Sequence, residues 1–146
     1  MTNHSPLKGI RVVDMSMGIA GPHCGMLLAL YGAEVVKIEP PAGDWMRGIG
    51  MRYGKQTSHA ANYNRGKKSV VLDLKDPNGL VAARKLVDRA DVFIENFRPG
   101  AVARLGLGYD EVRKTNPGLV YLSISGFGQE GPYRDRPCTD TVAQAY

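Results

Sequence analysis

The chain has 146 residues, 43% of them hydrophobic and 23% charged, which is the composition of an ordinary soluble globular domain large enough to have a hydrophobic core. Its net charge is +5, but the basic residues are scattered among acidic ones and no aromatic residues are interleaved with a basic stripe, which argues against nucleic-acid binding. No stretch approaches the roughly 18 apolar residues of a membrane span. The two cysteines, Cys24 and Cys138, are far apart and indicate neither a disulfide scaffold nor a zinc site. We therefore expect a cytoplasmic protein without a metal.

Apolar runs alternate with helical patterns along the chain, and this alternation predicts an α/β fold. Five runs are predicted to be strands: residues 10–15, 33–39, 69–74, 91–95 and 119–124. Because these runs are too apolar for a sheet with one wet face, we expect a parallel sheet with helices on both faces.

Helices are predicted between the strands. The first is predicted at residues 22–32, after a break at 18–22. Its apolar face carries Cys24, Leu27, Leu28 and Tyr31. Asp76 before Pro77 predicts an N-cap and a proline at the first position of another helix. The buried stripe of that helix is predicted at Leu80, Ala83, Val87 and Ala90.

Three segments are shorter or less regular. Residues 42–66 are rich in Gly, Asn, Arg and aromatics, and they predict either an irregular loop or a short helix packed on the sheet. A short helix is expected at 109–115. Residues 139–146 have the pattern of the first turns of a helix without a stop signal, so we expect the chain to be the front part of a longer α/β protein.

In a parallel sheet, ligands bind beyond the carboxyl ends of the strands. Four loops are expected at that edge: residues 16–22, 39–45, 96–100 and 125–132. The first loop contains glycines before a helix but lacks the GxGxxG spacing of dinucleotide-binding loops. A dehydrogenase interpretation would therefore rest on the fold alone.

The segment Asn96-Phe97-Arg98 is the more specific candidate. An amide, an aromatic ring and a guanidinium at a strand end can together hold an adenine ring and a phosphate. The alternative is an ordinary strand-to-helix turn with a solvated Arg98. The glycine-rich loop 125–132 can bring backbone close to a ligand, or it is simply a tight, flexible loop.

The other titratable residues give weaker signals. His4, His23 and His59 have no spacing typical of a metal site or a catalytic triad. Asp140 stands at the start of the last predicted helix, where the helix dipole favours a carboxylate. A capping role is therefore expected for Asp140 before a catalytic one.

Taken together and in order, these segments resemble the family III CoA-transferases, which include formyl-CoA and carnitine-type CoA-transferases and α-methylacyl-CoA racemase. The opening LKGIRVVD, the strand-end ENFRPG and the later SGFGQEGPY are among the matching motifs. The matching segments are residues 7–14, 20–22, 32–44, 64–69, 72–75, 90–92, 95–100, 104–106, 125–133, 140 and 143–145.

The resemblance implies a large Rossmann-like domain, of which residues 1–146 are the N-terminal CoA-binding part, and a homodimer of two interlocked chains. It implies that coenzyme A or acyl-CoA is a substrate, that a carboxylic acid is the other, and that no cofactor is covalently bound. The residues that it places near the CoA are Leu72, Asn96, Phe97, Arg98 and Arg104.

In the transferases an aspartate attacks the acyl-CoA thioester, which gives an acyl anhydride and then an enzyme thioester. That aspartate belongs to a Gly-Asp segment downstream of the position matching Tyr146. The resemblance therefore implies no catalytic residue in this chain, with Asp140 only a candidate for a supporting role. These 146 residues alone are not expected to catalyse CoA transfer.

Thr139 bears on the choice between two activities of the family. The racemases carry a His at the matching position, because racemisation needs a titratable group on each face of the α-carbon. A threonine does not titrate near neutral pH, so a transferase is preferred. Acyl specificity stays open, since the loop 17–19, Pro40 and Ser125 depart from patterns seen in some members. The alternatives are an acyl-CoA racemase or carnitine dehydratase-like member, and a non-catalytic α/β binding fragment.

Overall fold

The computed structural model describes residues 5–54 and 56–145. The strands of this part of the chain are β1 (Arg11–Asp14), β2 (Glu34–Glu39), β3 (Arg52–Tyr53), β4 (Gln56–Thr57), β5 (Lys68–Val71), β6 (Val92–Glu95) and β7 (Val120–Ser123). The helices are α1 (Ala20–Leu30), α2 (Ser58–Tyr63), α3 (Pro77–Val87), α4 (Ala101–Arg104), α5 (Tyr109–Val112) and α6 (Asp140–Ala145), with a 3-10 turn at Trp45–Gly48. None of the helices in these residues is long and apolar enough to cross a membrane.

Five strands form one parallel sheet in the order β5-β2-β1-β6-β7. The central strand is β1, where Val13 pairs with Val36 on one side and with Phe93 on the other. The chain winds outward from β1 in both directions, so the strand order reverses between β1 and β6. Doubly wound sheets bind ligands at such a switch point. The predicted α/β fold with a parallel sheet is confirmed.

Two apolar clusters fill the two faces of the sheet, because neighbouring residues of a strand point to opposite sides. Val13 and Phe93 belong to the larger cluster, and Val12 and Ile94 belong to the smaller one. The larger cluster lies under α3 and extends to α4 and α5, whereas the smaller one lies under α1.

Helix α3 begins as its sequence predicts. Asp76 accepts a hydrogen bond from the backbone N–H of Asn78 at 2.9 Å, and Pro77 is the first helical residue. The predicted buried stripe is also confirmed, since Ala83, Val87 and Ala90 are buried and Leu80 packs against the larger cluster.

Helix α1 buries a different face from the predicted one. Leu27 and Tyr31 are exposed, and the other two residues of the predicted face are only half-buried. The buried residues are Gly21, Pro22, Gly25 and Met26. Close packing is the cause: a Cβ at Gly25 would lie 2.7 Å from Asp14 Oδ2. Small residues let the backbone of α1 lie directly against β1. Cys24 and Leu28 still pack against the smaller cluster, but only half-buried, whereas Leu27 and Tyr31 remain exposed.

The segment 42–66, for which the sequence left two alternatives, contains the 3-10 turn, a β3–β4 hairpin and α2. Asp44 caps the turn by accepting from Met46 N–H at 3.0 Å. Thr57 caps α2 by accepting from Ala60 N–H at 3.2 Å, and its hydroxyl donates to Met46 O at 2.7 Å. Short capped elements therefore build this segment, and they lie beside the carboxyl end of β2.

Candidate functional site at the carboxyl edge of the sheet

A cavity of about 270 Å³ lies beyond the carboxyl ends of β1, β2, β5 and β6. Its walls are almost entirely apolar and include Met15, Met17, Ile38, Pro40, Leu72, Leu74, Phe97 and Leu105. Two of the five residues predicted to lie near CoA, Leu72 and Phe97, thus line one cavity. Leu72 lies there because β5 ends at Val71, which is earlier than its apolar pattern predicts.

Asn96, at the end of β6, is bonded to the loop after β1. Its Oδ1 accepts from Met17 N–H at 2.8 Å, and its Nδ2 donates to Met17 O at 2.7 Å. These reciprocal bonds fasten the two loops together across the switch point. Asn96 therefore positions Met17, which itself lines the cavity.

Arg98 and Arg104 are exposed and are not among the described residues that line this cavity, but each is next in sequence to one that does, Phe97 and Leu105 respectively. Arg98 borders a second cavity of about 220 Å³, whose other wall comes from the chain after β7. Arg104 is the last residue of α4, next to the cavity-lining Leu105. Within residues 5–54 and 56–145, neither guanidinium is ion-paired with an acidic side chain.

Glu95 links this turn to the glycine-rich loop after β7. Its buried carboxylate accepts from Phe97 N–H at 2.9 Å and from the hydroxyl of Ser123. Gln129 then donates from Nε2 to the Oγ of Ser123 at 2.8 Å and to that of Ser125 at 3.3 Å. Burial raises the pKa of Glu95 above its usual value, despite these two donors. The loop 125–132, for which the sequence left open a ligand role or a plain turn, is thus bonded to the strand ends.

On the other side of β1, charged residues are buried and paired. Asp14, fully buried, makes a 2.7 Å ion pair with Lys67, whose side chain is 1% exposed. The Lys67 ammonium also donates to Pro22 O at 2.7 Å and to Asn64 Oδ1 at 3.1 Å. Burial lowers the pKa of Lys67, against the attraction of Asp14. This ion pair joins β1, the start of α1 and the segment before β5.

A second buried pair, Lys37 with Asp44, lies 3.0 Å apart, and both side chains are 1% exposed. The Lys37 ammonium also donates to Ser16 O at 2.7 Å. The Asp44 carboxylate accepts from the backbone N–H of Gly18 at 3.1 Å, besides capping the 3-10 turn. The loop after β1 is therefore held by β2 as well as by β6.

Glu39, the buried last residue of β2, forms a third pair with Arg47, whose side chain is 31% exposed. Arg47 donates to its two carboxylate oxygens at 2.6 and 2.7 Å, and Ser69 Oγ and Asp44 N–H add bonds of 2.7 and 3.0 Å. Burial alone would raise the pKa of Glu39, but these bonds outweigh it and lower the pKa to about 2. Glu39 is therefore a carboxylate at every physiological pH.

Sequence reasoning missed these three pairs, although a signal was present. Asp14, Lys37 and Glu39 each interrupt an otherwise apolar strand pattern. A charged residue is almost never fully buried unless it is paired. Charges inside buried strands therefore predict partners on the neighbouring loops, but the spacing does not say which residues those partners are.

The remaining candidates lie apart from this edge or have simple roles. His23 and His59 are exposed and lie next to Tyr63, with ring centroids 5.8 and 6.4 Å from it. Asp140 is the first residue of α6, exposed, and accepts from Gln144 Nε2 at 2.8 Å. His4 and Tyr146 lie outside the described residues. Within that described part, no group of three or more His, Cys, Asp or Glu could hold a metal ion.

The edge thus combines two chemistries. An apolar cavity that contains an aromatic ring suits a planar or aliphatic group, and exposed guanidiniums beside it suit phosphate or carboxylate. Among the described residues, the buried charges on the β1–β2 side are paired with other charged side chains, and the buried Glu95 is held by Phe97 N–H and the Ser123 hydroxyl. Binding of an anionic ligand with an apolar part follows from this arrangement, whereas covalent chemistry does not.

Comparison with known proteins agrees with this site chemistry. A family model described as CoA-transferase family III matches residues 7–146. The chain is 45% identical over 142 residues to the succinyl-CoA–D-citramalate CoA-transferase of Chloroflexus aurantiacus, covering 96% of this chain and 35% of that protein. It is 46% identical over 147 residues to the succinate–glutarate CoA-transferase of Agrobacterium fabrum, covering 95% and 37%.

A solved structure supports the same relationship. The crystal structure of a CAIB/BAIF family protein from Brucella suis superposes with a TM-score of 0.89 at 39% identity, covering 98% of this chain and 39% of that one. The chain therefore spans little more than a third of the length of the proteins that it matches.

Proposed function

Because the chain belongs to CoA-transferase family III, we propose that it serves an acyl-CoA:carboxylate CoA-transferase by binding the coenzyme A part of the substrate. The observation that carries this proposal is the cavity at the switch point, lined by Leu72 and Phe97, with Arg98 and Arg104 exposed beside it. CoA combines an aromatic base, an aliphatic arm and phosphates, which are the groups that this edge suits.

Each residue has a distinct role in the proposed complex. Phe97 and Leu72 contact the adenine ring or the aliphatic arm through apolar surface. Arg98 and Arg104 donate charge-assisted hydrogen bonds to phosphate oxygens, which are stronger than neutral hydrogen bonds. Asn96 acts on the ligand through Met17, whose backbone it holds in the cavity wall.

The reaction proposed is the exchange of CoA between two carboxylic acids. The relatives named above act on succinyl-CoA with D-citramalate and on succinate with glutarate, so we propose dicarboxylic acids as the class of substrate. Thr139 in place of a titratable residue supports transfer over racemisation. We propose a cytoplasmic location, which the two free cysteines among the described residues support. We also propose that the protein acts as a homodimer.

The covalent step is proposed to use an aspartate that matches no residue of this chain. Its carboxylate would attack the thioester carbonyl, release CoA as a thiolate and form a mixed anhydride. Asp140 is exposed and hydrogen-bonded to Gln144, which supports a role in holding α6 rather than in attack. Hydroxylamine trapping after incubation with succinyl-CoA tests this point, because a hydroxamate on Asp140 would identify it as the nucleophile.

Calorimetric titration of the purified protein with CoA tests the binding proposal. Replacing Phe97 with Ala or Arg104 with Gln should each weaken CoA binding roughly tenfold, as expected for loss of one aromatic or charge-assisted contact. Tyr31→Ala is the matched control, since Tyr31 is an exposed aromatic residue at the opposite edge of the sheet. The proposal is wrong if CoA does not bind, or if all three variants bind it equally.

A further inference from the structure

Arg134 lies in the chain after β7, in a turn closed by its N–H bond to Gly131 O at 3.2 Å. We propose that Arg134 and Arg104, whose guanidiniums both approach Gly100, form a binding position for a phosphate group of the ligand. This inference rests on the proposed function, and it adds a residue that the sequence did not single out.

The geometry at Gly100 brings the two guanidiniums together. A Cβ at this position would lie 3.5 Å from Arg104 Nη1 and 3.8 Å from Arg134 Nη2. Gly100 has a φ of +78°, a conformation that disfavours any other residue, so no side chain fills the space between the two arginines. The gap is bordered by N–H donors from α4 and from the turn after β7.

The charges at this position are not balanced by the protein. The one acidic group within ion-pair range of Arg134 in the described residues is its neighbour Asp135, at 3.9 Å and largely exposed, and Arg104 has none there. Two cations held this close repel each other, and an anionic phosphate group between them offsets that repulsion. Each planar guanidinium offers paired donors that match two phosphate oxygens.

Arg98 extends the same basic surface. It lines, together with Arg134, the cavity of about 220 Å³ between the turn after β6 and the chain after β7. A phosphate bound over Gly100 would therefore add a bridge between two segments that Glu95, Ser123 and Gln129 already link. CoA has phosphate in two places, the 5′-diphosphate and the 3′-phosphate of the ribose, and either one has the required chemistry.

The test compares Arg134→Gln, Arg134→Lys and Arg89→Gln by calorimetric titration with CoA. Arg89 is the matched control, because it is exposed and lies at the amino edge of the sheet, near Arg11. Loss of one charge-assisted contact predicts that Arg134→Gln weakens CoA binding roughly 5- to 30-fold, with a smaller loss for the lysine variant. Arg89→Gln should stay within about twofold of the wild type, as expected for a distant charge.

A second titration with CoA that lacks the 3′-phosphate identifies the group that is bound. If Arg134→Gln and the wild type then bind equally, the 3′-phosphate occupies the position; if the defect persists, the diphosphate does. Both results support the inference. Wild-type affinity of Arg134→Gln for CoA, with Arg104→Gln still impaired, overturns the inference and leaves the proposed function standing. Absence of CoA binding by the wild type overturns both.

Discussion

The two sides of the carboxyl edge differ in whether their charged side chains are paired within the protein. On the side of β1, β2 and β5, the pairs Asp14–Lys67, Lys37–Asp44 and Glu39–Arg47 are buried or nearly so. On the side of β6 and β7, the guanidiniums of Arg98 and Arg104 are exposed, and the described residues offer them no acidic partner. One side pairs its charges within the protein, and the other exposes guanidiniums that we propose bind a ligand.

This difference separates stability from binding. A buried charge that loses its partner is strongly destabilising, whereas an exposed charge contributes little to the free energy of unfolding. Substitutions on the β1–β2–β5 side should therefore reduce stability, and substitutions on the β6–β7 side should reduce ligand affinity. Matched pairs of variants test that division.

The largest effect is expected at Lys67. Lys67→Met leaves Asp14 buried without its cation and should lower the free energy of unfolding by about 3–5 kcal/mol. The adjacent Lys68 is the control, because its pair with Glu34 is 72% and 55% exposed; Lys68→Met should cost no more than about 1 kcal/mol. Urea denaturation measures both. Equal losses would show that burial of the pair is irrelevant.

The next largest loss of stability is expected from protonation of Glu39 at low pH. Its pKa is lowered to about 2 in the folded protein, so its contribution to stability is full above the unfolded value near 4.5 and is lost as the pH falls towards 2. The loss should amount to about 2–3 kcal/mol. Denaturation at several pH values should show a steeper acid decline in the wild type than in Glu39→Gln. Parallel declines would contradict the prediction.

A smaller loss of stability is expected for a substitution at Gly100, which lies next to the guanidiniums of Arg104 and Arg134. Its φ of +78° predicts a cost of about 1–2 kcal/mol for Gly100→Ala, and the added methyl would also crowd the proposed phosphate position. Gly118 is the control, since its φ is not positive and a Cβ there meets nothing within 4 Å. Thermal denaturation and CoA titration of both variants separate strain from lost binding. The prediction fails if Gly118→Ala is as damaging.

The smallest effect on stability is expected for Arg104. Because its guanidinium is exposed and has no ion pair in the described residues, Arg104→Gln should change the free energy of unfolding by less than about 0.5 kcal/mol. The same variant should still weaken CoA binding, so one protein preparation gives both readings. A substantial loss of stability would mean that this side of the edge also uses its charges to hold the fold.

The fold was largely predictable because its signals are local. The five strand patterns and the Asp76 cap each correspond to an element of the structure. The ends of the strands were less predictable. The pattern predicts one strand over residues 69–74, yet β5 ends at Val71. The chain turns after it, and Lys75 N–H donates to Asp73 Oδ1 at 2.9 Å. An apolar pattern does not distinguish a leucine in a sheet from one that lines a cavity.

Residues of the candidate site could be predicted from the sequence only where a recognisable motif contains them. Asn96, Phe97 and Arg98 follow a strand end, and the structure brings that turn to the switch point. Partners from distant segments were not predictable: Lys67 is 53 residues from Asp14, and no spacing rule joins them. Arg134 was missed for the same reason, since only the fold brings it to Gly100. Long-range pairing of side chains depends on topology, which composition does not encode.

Trp45 follows the cap residue of the 3-10 turn, and its ring lies against the loop after β1, where a Cβ at Gly18 would be 2.5 Å from the indole Cζ2. It is the only tryptophan in the sequence, and it is 54% exposed. Trp45 is therefore the one indole of these 146 residues, and it lies at the rim of the candidate site. Its emission wavelength and its quenching by acrylamide report on the surroundings of one known loop, without any label or competing signal from another indole.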